Sequence, residues 1–284
     1  VDPPKALTVR RGSPDEVTAD VEIAEYCRQF QRLDRAELTF EFLRRNAEYK
    51  SDYKRAIARI TSTRADEEEV VARLAARWGL TFPADPALSA AFARPLWRPD
   101  LYAATVIVGP APPGFDGGLA LDPGALRGAG EVVNGGLHAV VTDAVGDHRI
   151  WLQQRDGSFT AAFYVPIDEH FPQRVQSMQR FYRWLHGKAT GPPPRYQQLS
   201  AYQRHRCVLM LRAWDATEAG ASRRQLASVL LNNSVLTMRA IDWKNAAERR
   251  RVNRLLAAAR AMVNGDYLRL LQNAPLPVHL FRSR

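Results

Sequence analysis

The sequence predicts an α+β protein with a helical N-terminal region, a central antiparallel β-meander with a helix, and a C-terminal all-α helix-turn-helix domain. Apolar residues recur at helical spacing in the first quarter of the chain and again in the last third, while the middle carries short β-type runs separated by turn residues. The predicted divisions are a flexible tail at 1–18, the helical region at 19–80, the meander and its helix at 100–190, and a basic helix-turn-helix domain at 197–284.

The composition is that of a globular protein. Of the 284 residues, 46 % are hydrophobic and 25 % are charged, which excludes a disordered or collagen-like chain. No run approaches the ~18 apolar residues of a membrane-spanning helix, and residues 1–12 lack the apolar core of a secretion signal. We therefore expect a cytoplasmic protein with no membrane partner. Cys27 and Cys207 stand far apart in apolar segments, which predicts small buried side chains and no disulfide or zinc site.

Three helices are predicted in the N-terminal region. The second begins at Asp34, because Glu37 stands three residues later and completes an N-terminal capping pattern, and its apolar period continues to Ile60. The third spans 65–78, and we interpret its acidic run at 66–69 as charge that stabilises a helix N-terminus, not as a metal cluster. The first helix is predicted by an apolar stripe made of Ile23, Tyr26, Cys27 and Phe30.

A proline-rich connection at 79–99 leads to the predicted meander, and a helix over 169–186 follows it. Glycine-containing turns separate the strands, and the prolines at 192–194 mark a linker to the last domain. The five predicted strands are Tyr102–Val108, Gly118–Leu121, Leu137–Thr142, Arg149–Gln154 and Phe159–Val165.

Two histidines of the meander raise the alternative of an enzyme that acts on nucleic acid. His138 and His148 flank a hairpin that also carries Asp143 and Asp147. However, the sequence has no nucleophile motif, no histidine pair at metal-ligand spacing and no glycine-rich phosphate loop. We therefore predict no catalytic residues, no metal and no cofactor.

The positive charge is concentrated at the C-terminal end. The chain has 40 Lys and Arg against 30 Asp and Glu, and residues 1–199 are balanced at 25 of each. Residues 200–284 carry 15 basic residues against five acidic ones. Such a block is typical of a module that binds a polyanion, and nucleic acid is the first candidate. An anionic membrane surface is the second, but the segment lacks the pattern of an interfacial amphipathic helix.

Three helices are predicted within this basic block. The first spans 201–218 and ends at Ala219-Gly220-Ala221, where glycine can adopt the left-handed conformation that stops a helix. The second starts at Ser222, which forms a capping box with Gln225, and the break between the two helices is that of a helix-turn-helix unit. A polar connection at 232–244 leads to the third helix.

The third helix is predicted over 245–263, with one apolar face and one face of arginine and alanine. Arg250 and Arg254 lie opposite the apolar arc, and Arg251 and Asn253 lie on its flanks. Small side chains would let the helix approach a major groove, where guanidinium groups reach phosphates or guanine and Asn can pair with adenine. The alternative is an ordinary solvated helix face.

Several strings in this block resemble the C-terminal domain of bacterial DNA-binding transcription activators of the RovC/FseA type. The strings are LRAWDATEAGASRRQLASVLL, ERRRVNRLLAAARAMV and GDYLRLL, and FEFLRRNAEYK and RWGLTFPADP extend the resemblance toward the N-terminus. The resemblance implies an oligomeric activator that binds promoters of a mobile genetic element or of a secretion or transfer cluster. Carried onto matching positions, it implies DNA contacts by Arg223, Arg224, Gln225, Arg249, Arg250, Arg251, Asn253 and Arg254.

The sequence thus predicts a DNA-binding transcriptional activator that is not an enzyme. Its expected partners are double-stranded promoter DNA, RNA polymerase and other copies of the chain. Because some relatives act as antiactivators, the alternative is a protein-binding antiactivator or assembly adaptor whose basic helix grips an acidic partner.

Overall fold

A computed structural model describes residue 28 and residues 30–63, 67–115, 117–124, 126, 130–133, 136–154 and 156–272 of the chain. The predicted tail at 1–18, the stripe positions from Ile23 to Cys27 and everything after residue 272 lie outside the described residues. Helices and a β-sheet are combined, and the predicted α+β class is confirmed. No helix in the described part of the chain is long and apolar enough to cross a membrane.

The N-terminal region folds into helices α1 (Arg35–Leu43), α2 (Ala47–Thr63), α3 (Glu67–Trp78) and α4 (Ala90–Ala93). The capping pattern predicted before α1 is confirmed. The Glu37 backbone N–H donates to the Asp34 carboxylate at 2.8 Å, and the Asp34 N–H donates to the Glu37 carboxylate at 2.7 Å. However, the helix predicted to continue to Ile60 is divided into α1 and α2. The reason is that the Asn46 side chain accepts hydrogen bonds from the Glu48 and Tyr49 N–H groups and caps a new helix. Eight of the nine residues of α1 are buried, so this helix lies inside the protein with other elements packed around it.

The central region contains a six-stranded sheet with the strand order β2-β6-β1-β5-β4-β3. Five of the strands coincide with predicted runs, and β3 is an additional one. The strands are β1 (Val106–Pro110), β2 (Ala120–Leu121), β3 (Gly130–Val133), β4 (Gly136–Val141), β5 (His148–Leu152) and β6 (Phe159–Tyr164).

The pairing of β1 departs from the predicted antiparallel meander. Strand β1 pairs in parallel with β5, with Val106 opposite Ile150, and in antiparallel with β6, with Val108 opposite Phe163. Strand β1 is buried along almost its whole length, and a strand that is buried on both faces belongs in the interior of a sheet. The burial of β1 thus explains why it lies between β5 and β6 and not at the edge.

Helix α5 (Phe171–Leu185) covers the sheet, and its Phe181 is fully buried in the sheet core. The Asp143 carboxylate accepts hydrogen bonds from Arg180 at 2.9 Å and from Thr190 at 2.5 Å, and His148 lies 3.3 Å away. These hydrogen bonds connect the β4–β5 hairpin to α5 and to the segment that follows it. His138 is buried and stacks on Trp151, with ring centroids 5.2 Å apart. Both histidines of the hairpin therefore have packing partners.

The C-terminal region begins with a short 3-10 turn at Arg195–Gln197 and is otherwise helical. The predicted polar connection at 232–244 is itself largely helical, and the long helix begins two residues later than predicted. The elements are α6 (Ala201–Glu218), α7 (Arg223–Leu230), a 3-10 turn (Asn233–Thr237), α8 (Ala240–Asn245), α9 (Ala247–Ala261), a π-helical turn (Met262–Asp266) and α10 (Leu268–Leu271).

One hydrophobic core joins the N-terminal helices to the C-terminal ones. It combines residues of α1, such as Phe40, with Met210 of α6 and Ala258 of α9. Cys207 is fully buried in it, as predicted. The sheet has its own core, and a third, smaller cluster lies among α6, α7, α8 and α9. The C-terminal helices thus rest on the N-terminal region and leave this smaller unit at the surface.

Candidate nucleic-acid interface

The surface unit consists of the end of α6 from Ala216, helix α7, the Asn233–Thr237 turn, helix α8 and helix α9. Its core is small: Ala216, Leu226, Ala227, Val235 and Val252 are buried together. Gly220 has a φ of +87°, the left-handed conformation that lets the chain turn sharply between α6 and α7. The capping box predicted at the start of α7 is confirmed. The unit is therefore a compact helix-turn-helix arrangement.

The three candidate residues at the start of α7 have different surroundings. Arg223 is exposed and makes no hydrogen bond or ion pair with another described residue. Arg224 is half-buried, and its guanidinium donates to the backbone carbonyls of Val235 at 3.0 Å, Leu236 at 3.1 Å and Met238. Gln225 accepts a hydrogen bond from the Ser222 N–H at 2.9 Å. Of the three, Arg223 alone presents its polar group to solvent without a partner among the described residues.

The arginines at the start of α9 contact the end of α8. Arg249 donates from Nη1 to the Lys244 carbonyl at 3.1 Å, and Arg250 donates from Nη1 to the Asn245 carbonyl at 2.9 Å. These carbonyls lie at the C-terminus of a helix, where the partial charge is negative and cations are favoured. Arg250 remains exposed, and Arg249 is half-buried.

The remaining candidates of α9 do not share one direction. Arg251 and Asn253 are exposed, whereas Arg254 is half-buried and its Nε is buried with no hydrogen-bond partner among the described residues. At ~100° per residue, Asn253 and Arg251 point about 160° apart around α9. Arg251 and Asn253 therefore lie on opposite flanks of α9, and the half-buried Arg254, predicted opposite the apolar arc, is less exposed than that prediction implies.

Arg223 and Asn253 come together with a residue that the sequence analysis missed. They line a cleft of roughly 560 Å³ between α6, α7 and α9, and the exposed Arg260 lines the same cleft. Arg260 stands seven residues, or two turns, after Asn253 and so lies on the same side of α9. This seven-residue spacing is the sequence signal that links Arg260 to Asn253.

The surface unit is strongly basic. Over residues 216–261, three acidic residues, Glu218, Asp242 and Glu248, stand against nine basic ones. Asp242 is paired with Arg239 at 3.1 Å. Guanidinium groups stay charged at any physiological pH, so the surface can bind a polyanion. The nine basic residues are Arg223, Arg224, Arg239, Lys244, Arg249, Arg250, Arg251, Arg254 and Arg260.

A metal-dependent site is not formed by the part of the chain that the structure describes. Its residues contain no group of three or more His, Cys, Asp or Glu side chains that could hold a metal ion. Asp143 and His148, the pair considered for an enzyme, belong to the joint between the β4–β5 hairpin and α5.

Comparison with known families places the basic unit inside a matched domain. Residues 164–272 match the model of a T6SS transcription factor DNA-binding domain (RovC_DNA-bd). Residues 22–83 match a proteobacterial transcriptional regulator-like domain, and residues 104–162 match a domain of unknown function (DUF7012). None of the curated proteins compared with the chain matches it. All eight candidate residues lie within the first of these matches.

Proposed function

Because the chain is a bacterial DNA-binding regulator of the RovC type, we propose that it is a sequence-specific transcriptional activator in the cytoplasm. It binds double-stranded promoter DNA through the surface unit formed by α6–α9. The observation that carries the proposal is the charge of this unit, with nine basic residues against three acidic ones between 216 and 261. Lys and Arg that neutralise phosphates release condensed counterions, which favours binding.

The proposed contacts divide into two kinds. Arg223 and Arg260 are exposed in the cleft, and each contacts a phosphate, while the exposed Asn253 contributes a hydrogen-bonding group beside them. The exposed Arg251, on the other side of α9, contacts a further phosphate. Arg224, Gln225 and Arg249 take part mainly by holding the unit together, because their polar groups already bond to the backbone. Arg250 also bonds to the backbone, at the Asn245 carbonyl, and Arg254, one turn later, supplies further positive charge.

The regulated genes, in this proposal, belong to a mobile element or to a secretion or transfer cluster. The description of the matched DNA-binding domain as that of a T6SS transcription factor supports the second of these. The chain acts as a homo-oligomer on the promoter and assists RNA polymerase there. The balanced charge of residues 1–199 supports a role of this part in contacts between copies of the chain.

The experiment that tests the DNA partner is selection from a random duplex library with the full-length protein, followed by footprinting on the selected site. We expect an enriched motif and a protected region over it. An in vitro transcription reaction with RNA polymerase then tests activation, and the protein should raise transcript yield from a promoter that carries the motif. If no motif is enriched and no duplex is protected, the proposal is wrong.

The alternative is a protein-binding antiactivator or assembly adaptor. It predicts that Arg250→Ala combined with Arg254→Ala abolishes a complex with an acidic protein, while the wild-type chain has no DNA affinity to lose. A wild-type protein that protects a duplex therefore contradicts this alternative.

A further inference from the structure

We propose that the segment Asn233–Asn245, made of the 3-10 turn and α8, is the element that recognises base identity in the major groove. This inference rests on the proposed function and assigns specificity within it. Ile241 and Asn245 contact base edges, while Arg224, Arg249 and Arg250 are positioning residues that hold the segment in place.

Arginine side chains donate hydrogen bonds to the backbone at both ends of the segment. At its start, Arg224 of α7 donates to the carbonyls of Val235 and Leu236 at 3.0 and 3.1 Å and also to that of Met238. At its end, Arg249 and Arg250 of α9 donate to the last two carbonyls of α8 at 3.1 and 2.9 Å. Hydrogen bonds from a charged donor are stronger than neutral ones. Three guanidinium groups thus fix the backbone of a segment of 13 residues.

Only a few side chains of the segment pack against the small core of the surface unit. Val235 is fully buried, and the half-buried Met238 and Trp243 pack against the same small core. Helix α8 has six residues and none of them is buried. A helix of this length is not stable by itself in water. The arginine contacts therefore explain how a short and almost wholly exposed helix keeps its position on the surface.

The outward side of α8 carries an apolar and an amide side chain. Ile241 is 58 % exposed, and Asn245 is exposed as well. They stand four residues apart, on the side of α8 away from Trp243. An aliphatic side chain can contact the methyl group of thymine, and Asn can bond in bidentate fashion to the N6 and N7 atoms of adenine. The pair therefore favours A·T base pairs at neighbouring positions.

The charge around the segment favours DNA over a protein as the occupant. Arg239 and Lys244 are exposed on the segment, and its single acidic residue, Asp242, is already paired with Arg239 at 3.1 Å. A helix with its side chains is about 10–12 Å across, which matches the ≈ 12 Å width of the major groove. Because the segment is held in place before binding, docking costs less conformational entropy than the ordering of a loose loop.

The experiment compares two duplexes of equal length, the site selected by the wild-type protein and an unrelated sequence, using full-length variants. Asn245→Ala should weaken binding to the selected site about 5- to 150-fold, the range of one bidentate base contact, and leave the unrelated duplex unaffected. Ile241→Ala should act in the same direction. Arg260→Ala, which removes an exposed charge outside the segment, should weaken binding to both duplexes by the same factor.

A change of specificity provides the second readout. Arg pairs with guanine in the geometry in which Asn pairs with adenine, so Asn245→Arg should select guanine at a position where the wild type selects adenine. Arg224→Lys keeps the charge but loses the guanidinium fork, and it should lower affinity for the selected site more than for the unrelated duplex.

Unchanged discrimination between the two duplexes in Asn245→Ala and Ile241→Ala, together with an unchanged selected motif in Asn245→Arg, would overturn the assignment. That result differs from failure of the proposed function itself, in which the wild-type protein binds neither duplex.

Discussion

The guanidinium of Arg35 donates a hydrogen bond to the backbone carbonyl of Leu270 at 2.9 Å, across 235 positions of the sequence. A second bond from the same side chain reaches the Gln198 carbonyl at 2.7 Å. Arg35 is buried at the start of α1, so it connects α1 to both ends of the C-terminal helical region. The basic surface unit is thereby attached to a rigid base.

Arg35→Ala should destabilise the protein by about 2–4 kcal/mol, because it leaves the buried Leu270 carbonyl without its charged donor and also removes the bond to the Gln198 carbonyl. The measurement is urea unfolding followed by tryptophan fluorescence. Arg55→Ala is the matched control, since the Arg55 side chain is 73 % exposed and, among the described residues, forms its ion pair with Asp52 one turn away. Its effect should stay below about 1 kcal/mol. Equal effects of the two substitutions would show that Arg35 does not hold the regions together.

Gly220→Ala should cost about 1 kcal/mol of stability through backbone conformation alone. Gly220 has a φ of +87°, yet an added Cβ would meet no atom within 4 Å. Gly117→Ala is the control, because Gly117 is equally open but lies outside the positive-φ region. It should leave the free energy of unfolding unchanged or raise it slightly. A Gly220→Ala protein as stable as the wild type would contradict the role given to this turn.

Acid should destabilise the protein through two buried histidines. Burial lowers the pKa of His138 to about 4, and burial together with the nearby Arg180 lowers the pKa of His148 to about 4. In the unfolded chain both have a pKa of about 6.5. Between pH 6.5 and 4 the unfolded chain therefore binds protons that the native protein does not, and stability falls as the pH falls through this window.

Each histidine should lower the free energy of unfolding by roughly 3 kcal/mol once the pH has fallen below 4. Above pH 7 both histidines are mostly neutral in the folded and the unfolded chain, so they should contribute little pH dependence there. His138→Phe retains a ring over Trp151 and removes one titrating group, so it should reduce the pH dependence by about half. The measurement is urea unfolding at a series of pH values. A free energy of unfolding that stays constant from pH 7 to pH 4.5 would refute this account.

Cys207 should be inert in the native protein. Burial raises the pKa of its thiol to about 12, and only the thiolate reacts. In a Cys27→Ser background, alkylation at pH 8 should be slower by roughly a thousandfold or more in buffer than in denaturant. Rapid alkylation of the folded protein would mean that the core around α6 opens readily.

Local sequence signals were sufficient to predict the starts of α1 and α7. Contacts between residues far apart in the sequence could not be predicted in this way. The pairs Asp34/Glu37 and Ser222/Gln225 marked the N-termini of α1 and α7 because capping depends on residues three apart. The parallel pairing of β1 with β5 joins residues more than 40 positions apart, which periodicity cannot reveal. Helix α8 was missed because six residues span fewer than two turns.

The sequence also could not predict which arginines of the basic surface reach solvent and which bond to the protein backbone. A run of arginines on a helix predicts positive charge, but whether a guanidinium reaches solvent or a carbonyl depends on what packs beside it. Arg224 bonds to Val235, eleven positions away, and only the fold brings these groups together. Arg223, its neighbour, stays exposed. The sequence thus predicted the location of the basic surface and not the division of its residues between scaffold and contact.

The most direct test of the central claim, that the surface unit binds DNA, is the salt dependence of duplex affinity. For about five neutralised phosphates, log K should fall with log salt at a slope of roughly −4 to −5. Arg223→Ala combined with Arg260→Ala should make this slope shallower by about two units. Arg55→Ala combined with Arg73→Ala removes the same charge from exposed positions of α2 and α3 and should leave the slope unchanged. An affinity indifferent to salt, or equal slopes for the two double variants, would contradict the account.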